Sequence, residues 1–164
     1  MSAAKADLFL GKNVVLTPVA FNNDALETNI HAVRRASELW KNCGANVSEM
    51  PAETHDSIFA AVSHLPHLLA FALVDDIAAR PNAEQLFSFA ASGFRDFTRI
   101  AGSHPEMWRD ISLANKPALL AEITAFENEL TKLKQLVISD DANGLQALFE
   151  RASVARNNWA KNKQ

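Results

Sequence analysis

Two strings in this chain gather side chains able to recognise an anion. Ser63-His64-Leu65-Pro66-His67 carries two imidazoles three residues apart. Gly93-Phe94-Arg95-Asp96-Phe97-Thr98-Arg99-Ile100-Ala101 continues through Pro105-Glu106-Met107-Trp108-Arg109-Asp110. Guanidinium groups, imidazoles and an indole stand in segments whose patterning is half-buried. Desolvating a charge without a partner is costly, so charges placed there have an anion to meet. The chemistry indicated is recognition of a small carboxylate, not of a metal ion or a nucleic acid.

Each candidate has a plainer competitor. His64 and His67 share a face on a regular helix. His55 lies nine positions before His64, on roughly the opposite face of such a helix, which argues against a three-histidine metal site. No H-E-x-x-H or paired Cys/His spacing is present, so no metal is expected. His55 and His64 read as satisfied structural histidines. His67 follows the Pro66 kink, where a helix face opens, and reads as functional. Arg99 sits between Phe97 and Ile100, with Gly93 ahead of the segment permitting close backbone approach; its planar fork suits bidentate carboxylate recognition. A solvated ion-pair face is the alternative. Arg95 or Arg109, paired with Asp96 or Asp110, would hold the segment in place. By sequence alone Trp108 reads as a core or interface aromatic, as do Trp40 and Trp159. Cys43 has no activating neighbour and reads as structural. Asp75 and Asp76 are adjacent and do not face each other on a helix, which excludes a general acid/base pair.

The elements that must position these groups fall into two parts. Asn13–Leu16 reads as a short strand stopped by Thr17-Pro18. A helix follows from a capping-box-like Asp24-x-x-Glu27, with Ile30, Val33, Ser37, Leu39 and Trp40 as its stripe and Gly44 as its C-cap. Residues 45–50 alternate like a second strand. Strand, helix and strand make one increment of a parallel sheet, which cannot cover both sheet faces alone. Residues 1–50 therefore read as the tail of a larger α/β domain, and residues 51–164 as an all-helical domain.

Residues 52–80 predict a long helix with Ile58, Phe59, Val62, Leu69, Leu73 and Ile77 inward and a Pro66 kink near Ala61–Val62. Glu84–Ala91 predicts a helix ending at Gly93. Ser103-x-x-Glu106 predicts a capping box opening a helix through Met107, Ile111 and Leu113. Asn115 caps a longer helix with Leu119, Leu120, Ile123, Phe126, Leu130, Leu133 and Val137 as its stripe. A last helix after Ser139 or Asp140 carries Leu145, Leu148, Phe149, Ala152 and Trp159. The fold class is mostly α, a helical bundle after a terminal αβ increment, with stripes wide enough for an oligomer interface.

Composition sets the outer limits. The chain has 164 residues, 48% of them hydrophobic, and a net charge of −3, which gives no sign of a polyanion partner. One cysteine excludes an internal disulfide and fits a reducing compartment. Residues 1–10 lack signal-peptide character, and the longest apolar stretch, around Leu65–Val74, holds Pro66 and His67 and falls short of a bilayer's thickness. The expectation is a soluble, cytoplasmic protein.

Together the strings resemble the bacterial prephenate dehydrogenase family, which includes arogenate dehydrogenases of tyrosine biosynthesis. The matching stretches are Asp7-Leu8-Phe9 with Val15-Leu16-Thr17-Pro18, then Leu39-Trp40, Gly44-Ala45 and His55-Asp56. They continue with Ser63–His67 leading into Leu68-Leu69-Ala70, Gly93–Ala101, and Pro105–Asp110 followed by Asn115. The resemblance implies NAD- or NADP-dependent oxidative decarboxylation of prephenate or arogenate, and a Rossmann domain followed by an all-helical domain that makes a homodimer. It implies substrate-binding roles for His67, Arg99, Trp108 and Gly93, with Arg99 on the substrate carboxylate and Trp108 as an indole reaching the cleft. His55 and His64 take supporting roles, and tyrosine is a candidate inhibitor.

One departure stands out. The family's GxGxxG turn and its His-Pro-x-Ala-Gly string, which carries the catalytic histidine, belong ahead of Asp7, and this sequence has neither. The expectation is a C-terminal portion, inert alone, whose first 50 residues are the end of a Rossmann-type sheet; no catalytic residue is expected within it, and the cofactor contacts cannot be named. The rival, from a different class, is a non-catalytic helical module binding a small carboxylate such as tyrosine.

Overall fold

The computed structural model describes residue 5, residues 7–18 and residues 23–161, with residues 23–29 described by their backbone alone. Two compact units divide the chain, Met1–Leu119 and Leu120–Gln164.

The first unit opens with β1 (Asn13–Leu16), α1 (Asn23–Asn42) and β2 (Asn46–Glu49). The two strands pair in parallel with Asn13 opposite Asn46 and Leu16 opposite Glu49. The β-α-β increment read from the sequence is therefore present, and its turn out of α1 is a Schellman motif. Ala45 N–H donates to the Trp40 carbonyl and Gly44 N–H to that of Lys41. Gly44 takes φ +81°, and a Cβ there would lie 2.7 Å from Leu10 Cδ1, so conformation and space both require glycine. Ser37 is buried and Phe9 meets the Trp40 ring edge-on at 4.9 Å. Ile30 and Leu39 face outward, against expectation. Leu39 lies two residues beyond Ser37, about 200° around the helix, and cannot share its face. The Asp24–Glu27 capping box falls outside the described side chains.

The central helix runs as α2 (Ala52–Phe59), a π turn (Ala60–His64) and α3 (Leu65–Ala78). The expected disturbance is this π turn, where Leu65 N–H reaches back five residues to the Ala60 carbonyl. Pro66 supplies the cause: it lacks the N–H that Val62 O would accept, and widening the preceding turn relieves its ring against that carbonyl. The π turn also shifts the phase of the apolar stripe. Ala60, Leu65 and Ala70 are buried, whereas Ile58 and Val62, expected inward, are exposed. Pro66 does not interrupt the helix, contrary to the short apolar stretch read from the sequence. Ala52–Ala78 is one 27-residue helix, long and apolar enough by length and composition to cross a membrane. In the folded chain the three elements that follow pack on its α3 part.

Those elements are α4 (Ala83–Ser88), α5 (Ser92–Thr98) and a 3₁₀ turn (Arg99–Gly102). Gly93 does not end a helix; it lies in the first turn of α5, and nothing stands within 4 Å of where its Cβ would be. The close backbone approach expected there is absent. In α6 (Pro105–Ala114) the capping box is absent too. His104 occupies the cap with no side-chain bond, Pro105 supplies a pre-set φ, and Glu106 pairs forward with Arg109 instead. Of its expected stripe only Ile111 is partly covered, while Met107 and Leu113 face outward.

α7 (Lys116–Ile138) follows Asn115 directly and buries Leu119. In the second unit α7 ends and α8 (Ala142–Lys161) begins through a second Schellman motif. Here Asp141 N–H donates to Leu136 O and Asp140 N–H to Val137 O, with Asp140 at φ +51°. The α8 cap is Asp141, beyond both Ser139 and Asp140 that the sequence offered, because Asp140 is committed to the left-handed position; Asp141 Oδ1 accepts the Gly144 N–H at 2.9 Å. Gly144 lies against Leu136, whose Cδ2 would be 2.7 Å from an added Cβ. Leu130, Val137, Phe149, Val154 and Trp159 remain exposed.

Candidate functional site

His67 and Trp108 form the centre of the site. Their rings stack with centroids 3.6 Å apart and planes 20° from parallel. Pro66 opens the helix so that His67, one residue on, turns its Nδ1 back to the Ser63 carbonyl at 2.8 Å. A carbonyl only accepts, so Nδ1 carries the proton and Nε2 is the nitrogen left for a ligand. Trp108 is 8% exposed, and its indole N–H is the one fully buried side-chain polar atom left without a partner among the described residues. Leaving such a donor unmatched costs about 1–3 kcal/mol. Beside the ring a cavity of about 240 Å³ is lined by Leu68, Phe71, Pro105, Trp108, Arg109 and Ser112.

His64 meets the other side of this arrangement, edge-on to Trp108 with centroids 6.2 Å apart. Its Nδ1 lies 3.1 Å from Asn115 Nδ2, which also donates to the Asp56 carbonyl at 2.8 Å. The His64 pKa is lowered, first by burial and then by the neighbouring His55 and His67 imidazoles, with Asp56 opposing. His55 pairs with Asp56 at 3.0 Å and stacks on Phe59 at 4.3 Å. The sequence had placed His55 and His64 on opposite faces. A π turn advances less per residue than an α-helix, and this change of phase brings the two imidazoles close enough to interact. Among the described residues no group of three His, Cys, Asp or Glu is arranged to hold a metal.

The arginines separate cleanly. Arg109 pairs with Asp110 at 2.8 Å and with Glu106 at 3.4 Å, as one of the two expected local clasps. Arg95 makes no such clasp with Asp96 among the described residues. Arg99 opens the 3₁₀ turn that packs on α3, is exposed, and has no hydrogen bond or ion pair among the described residues. Gly93 sits on the exposed first turn of α5. The structure thus brings His67, His64, His55 and Trp108 together and sets the turn bearing Arg99 against the same helix. Sequence reading missed Asn115 as a member of this cluster, having assigned it only a cap; its side chain is 7% exposed and joins residues 59 and 51 positions away. No local pattern carries such a contact.

Between β1 and α1 the sequence, Thr17 to Asn22, holds none of the glycines of a dinucleotide-binding turn. The fold is mostly α and is built on a π-kinked helix. Residues 51–151 match the family described as "Prephenate dehydrogenase, dimerization domain", and the chain belongs to that family.

Among its relatives, cyclohexadienyl dehydrogenase of Zymomonas mobilis is 35% identical over 94% of this chain and 51% of its own length. Prephenate dehydrogenase of Bacillus subtilis is 38% identical over 95% of this chain and 41% of its own length. Prephenate dehydrogenase of Aquifex aeolicus, solved with hydroxyphenyl propionate and NAD+, superposes with a TM-score of 0.79 at 38% identity, covering 93% of this chain and 51% of that one. The chain therefore spans about half the length of these relatives.

Proposed function

We propose that this chain is the substrate-binding and dimerising part of a prephenate or arogenate dehydrogenase. The whole protein would oxidatively decarboxylate prephenate, or arogenate, using NAD or NADP in tyrosine biosynthesis in the cytoplasm. Hydride leaves the ring carbon bearing the hydroxyl, the ring carboxylate departs as CO₂, and aromatisation drives the reaction. This chain spans about half the length of its relatives, and on this reading the nicotinamide is held by the other part of the whole protein and this part alone is inactive. The observation that carries this reading is the His67–Trp108 stack, with Nε2 of the imidazole uncommitted, on the helix against which the turn carrying the exposed, unpaired Arg99 packs. A guanidinium fork takes a carboxylate, and the stacked rings take a cyclic body with polar substituents. The apolar side chains left exposed on α7 and α8 support a homodimer.

Calorimetric titration of prephenate, arogenate, tyrosine or hydroxyphenyl propionate into the chain tests the assignment. Arg99→Ala is expected to weaken carboxylate binding by about 10- to 100-fold, the loss of a charge-assisted pair worth about 1.5–3 kcal/mol, without changing stability. Equal affinity in both proteins would overturn the role of Arg99. Tyrosine binding with no affinity for prephenate or arogenate would favour a non-catalytic carboxylate-binding module.

A further inference from the structure

We infer that Asn115 is a positioning residue of this site: one amide nitrogen locks His64 in its neutral Nε2–H tautomer and at the same time pins the π turn on which His64 stands. The hydrogen bonds dictate this. Asp56 O can only accept, so the Asn115 amide atom 2.8 Å from it is the NH₂ group. That nitrogen has one hydrogen left, and His64 Nδ1 lies 3.1 Å away. Nδ1 must therefore present a lone pair, which leaves the ring proton on Nε2. Protonation at Nδ1 would set donor against donor in a partly buried contact.

The second bond falls at the mechanically weak point of the helix. Where α2 gives way to the π turn, the Ala60 N–H is shared between the carbonyls of Asp56 and Ser57. The Asn115 amide gives Asp56 O a second donor and so compensates for the bond that the change of register weakens. His64 is bounded by His55 and Asp56 of α2, His67 of α3, Trp108 of α6 and Asn115 ahead of α7. Burial and the two imidazoles favour its neutral form, in agreement with the tautomer required by the hydrogen bonds. Its ring abuts Trp108, and Trp108 stacks on His67, so holding His64 holds the stack.

The positioning role rests on the binding reading given above, whereas the lock can be read without any ligand. The experiment is a pH titration of the imidazole ¹⁵N resonances in the chain and in Asn115→Ala and Asn115→Asp, with affinity for hydroxyphenyl propionate measured alongside. The expected result is an Nε2–H tautomer at His64, titrating below the ordinary histidine value. In Asn115→Ala a tautomer mixture should appear and the titration move upward; in Asn115→Asp the carboxylate should raise it above the ordinary value. Affinity should fall about tenfold in the Ala variant. An Nδ1–H tautomer in the unaltered chain overturns the proposal even if both variants fail to fold, as does a His64 titration unchanged by either substitution. Ligand affinity unchanged once the lock is lost overturns the positioning role. An unaltered chain that shows the lock but binds no hydroxyphenyl propionate counts against the binding-site reading, not against the lock.

Discussion

The π-kinked helix with its partners and the α7–α8 hairpin solve opposite problems. Around Trp108 the first unit buries polar groups, and nearly all of them are matched: Asn115 to Asp56 and His64, His67 to Ser63. In the second unit large apolar side chains, Leu130, Val137, Phe149 and Val154 among them, stay in solvent. A buried polar network fixes one geometry because each wrong arrangement leaves an unmatched group. An exposed apolar face fixes no internal geometry, and its burial awaits another surface. Under the function proposed above, the contrast assigns recognition to the network and association to the hairpin.

The comparison breaks first at Trp108. Trp108→Ala should lower the stability of the first unit by about 3–5 kcal/mol in urea denaturation, as expected for truncating a buried ring; a loss under about 1 kcal/mol would show that the stack is not a structural centre. Phe149→Glu should weaken self-association by at least about 100-fold, near 3 kcal/mol, in sedimentation equilibrium, while leaving His64 and its ring signals untouched. A dimer of unchanged affinity would remove the hairpin from the interface. Asp141→Ala, which deletes the α8 cap, should cost about 1 kcal/mol and affect only the second unit.

Acid sharpens the contrast more gently. The folded pKa of His64 lies below its unfolded value, so the unfolded chain binds a proton first as pH falls. Stability from this group is complete above an unfolded pKa of about 6.5 and is lost as pH drops through the folded value. His64→Gln should flatten that acid limb for the first unit. An unchanged limb would mean that other groups govern it.

The two Schellman motifs show what was legible. Gly44 announced the end of α1 because glycine is the usual residue for a left-handed cap. Asp140 fills the same position after α7, where the sequence offered Ser139 or Asp140 as the start of the last helix, since aspartate serves both ends. Gly93 failed in the other direction, as a glycine with neither a positive φ nor a close neighbour. The capping box at Ser103 failed because Pro105 already fixes the first turn of α6.

The sequence by itself determined the parallel strand pair, the long helix disturbed by Pro66, the apolar stripes of α7 and α8, and the presence of His67 and Arg99 as residues with chemistry to offer, while Trp108 read there only as a core or interface aromatic. Periodicity, proline sterics and turn preferences are local, and local information suffices for them. Only the tertiary structure decided that His55 and His64 share a neighbourhood, that Trp108 lies on His67, and that Asn115 joins Asp56 to His64 across more than fifty residues. Those contacts depend on the phase change of the π turn and on how separate helices pack, and no spacing within either segment encodes them.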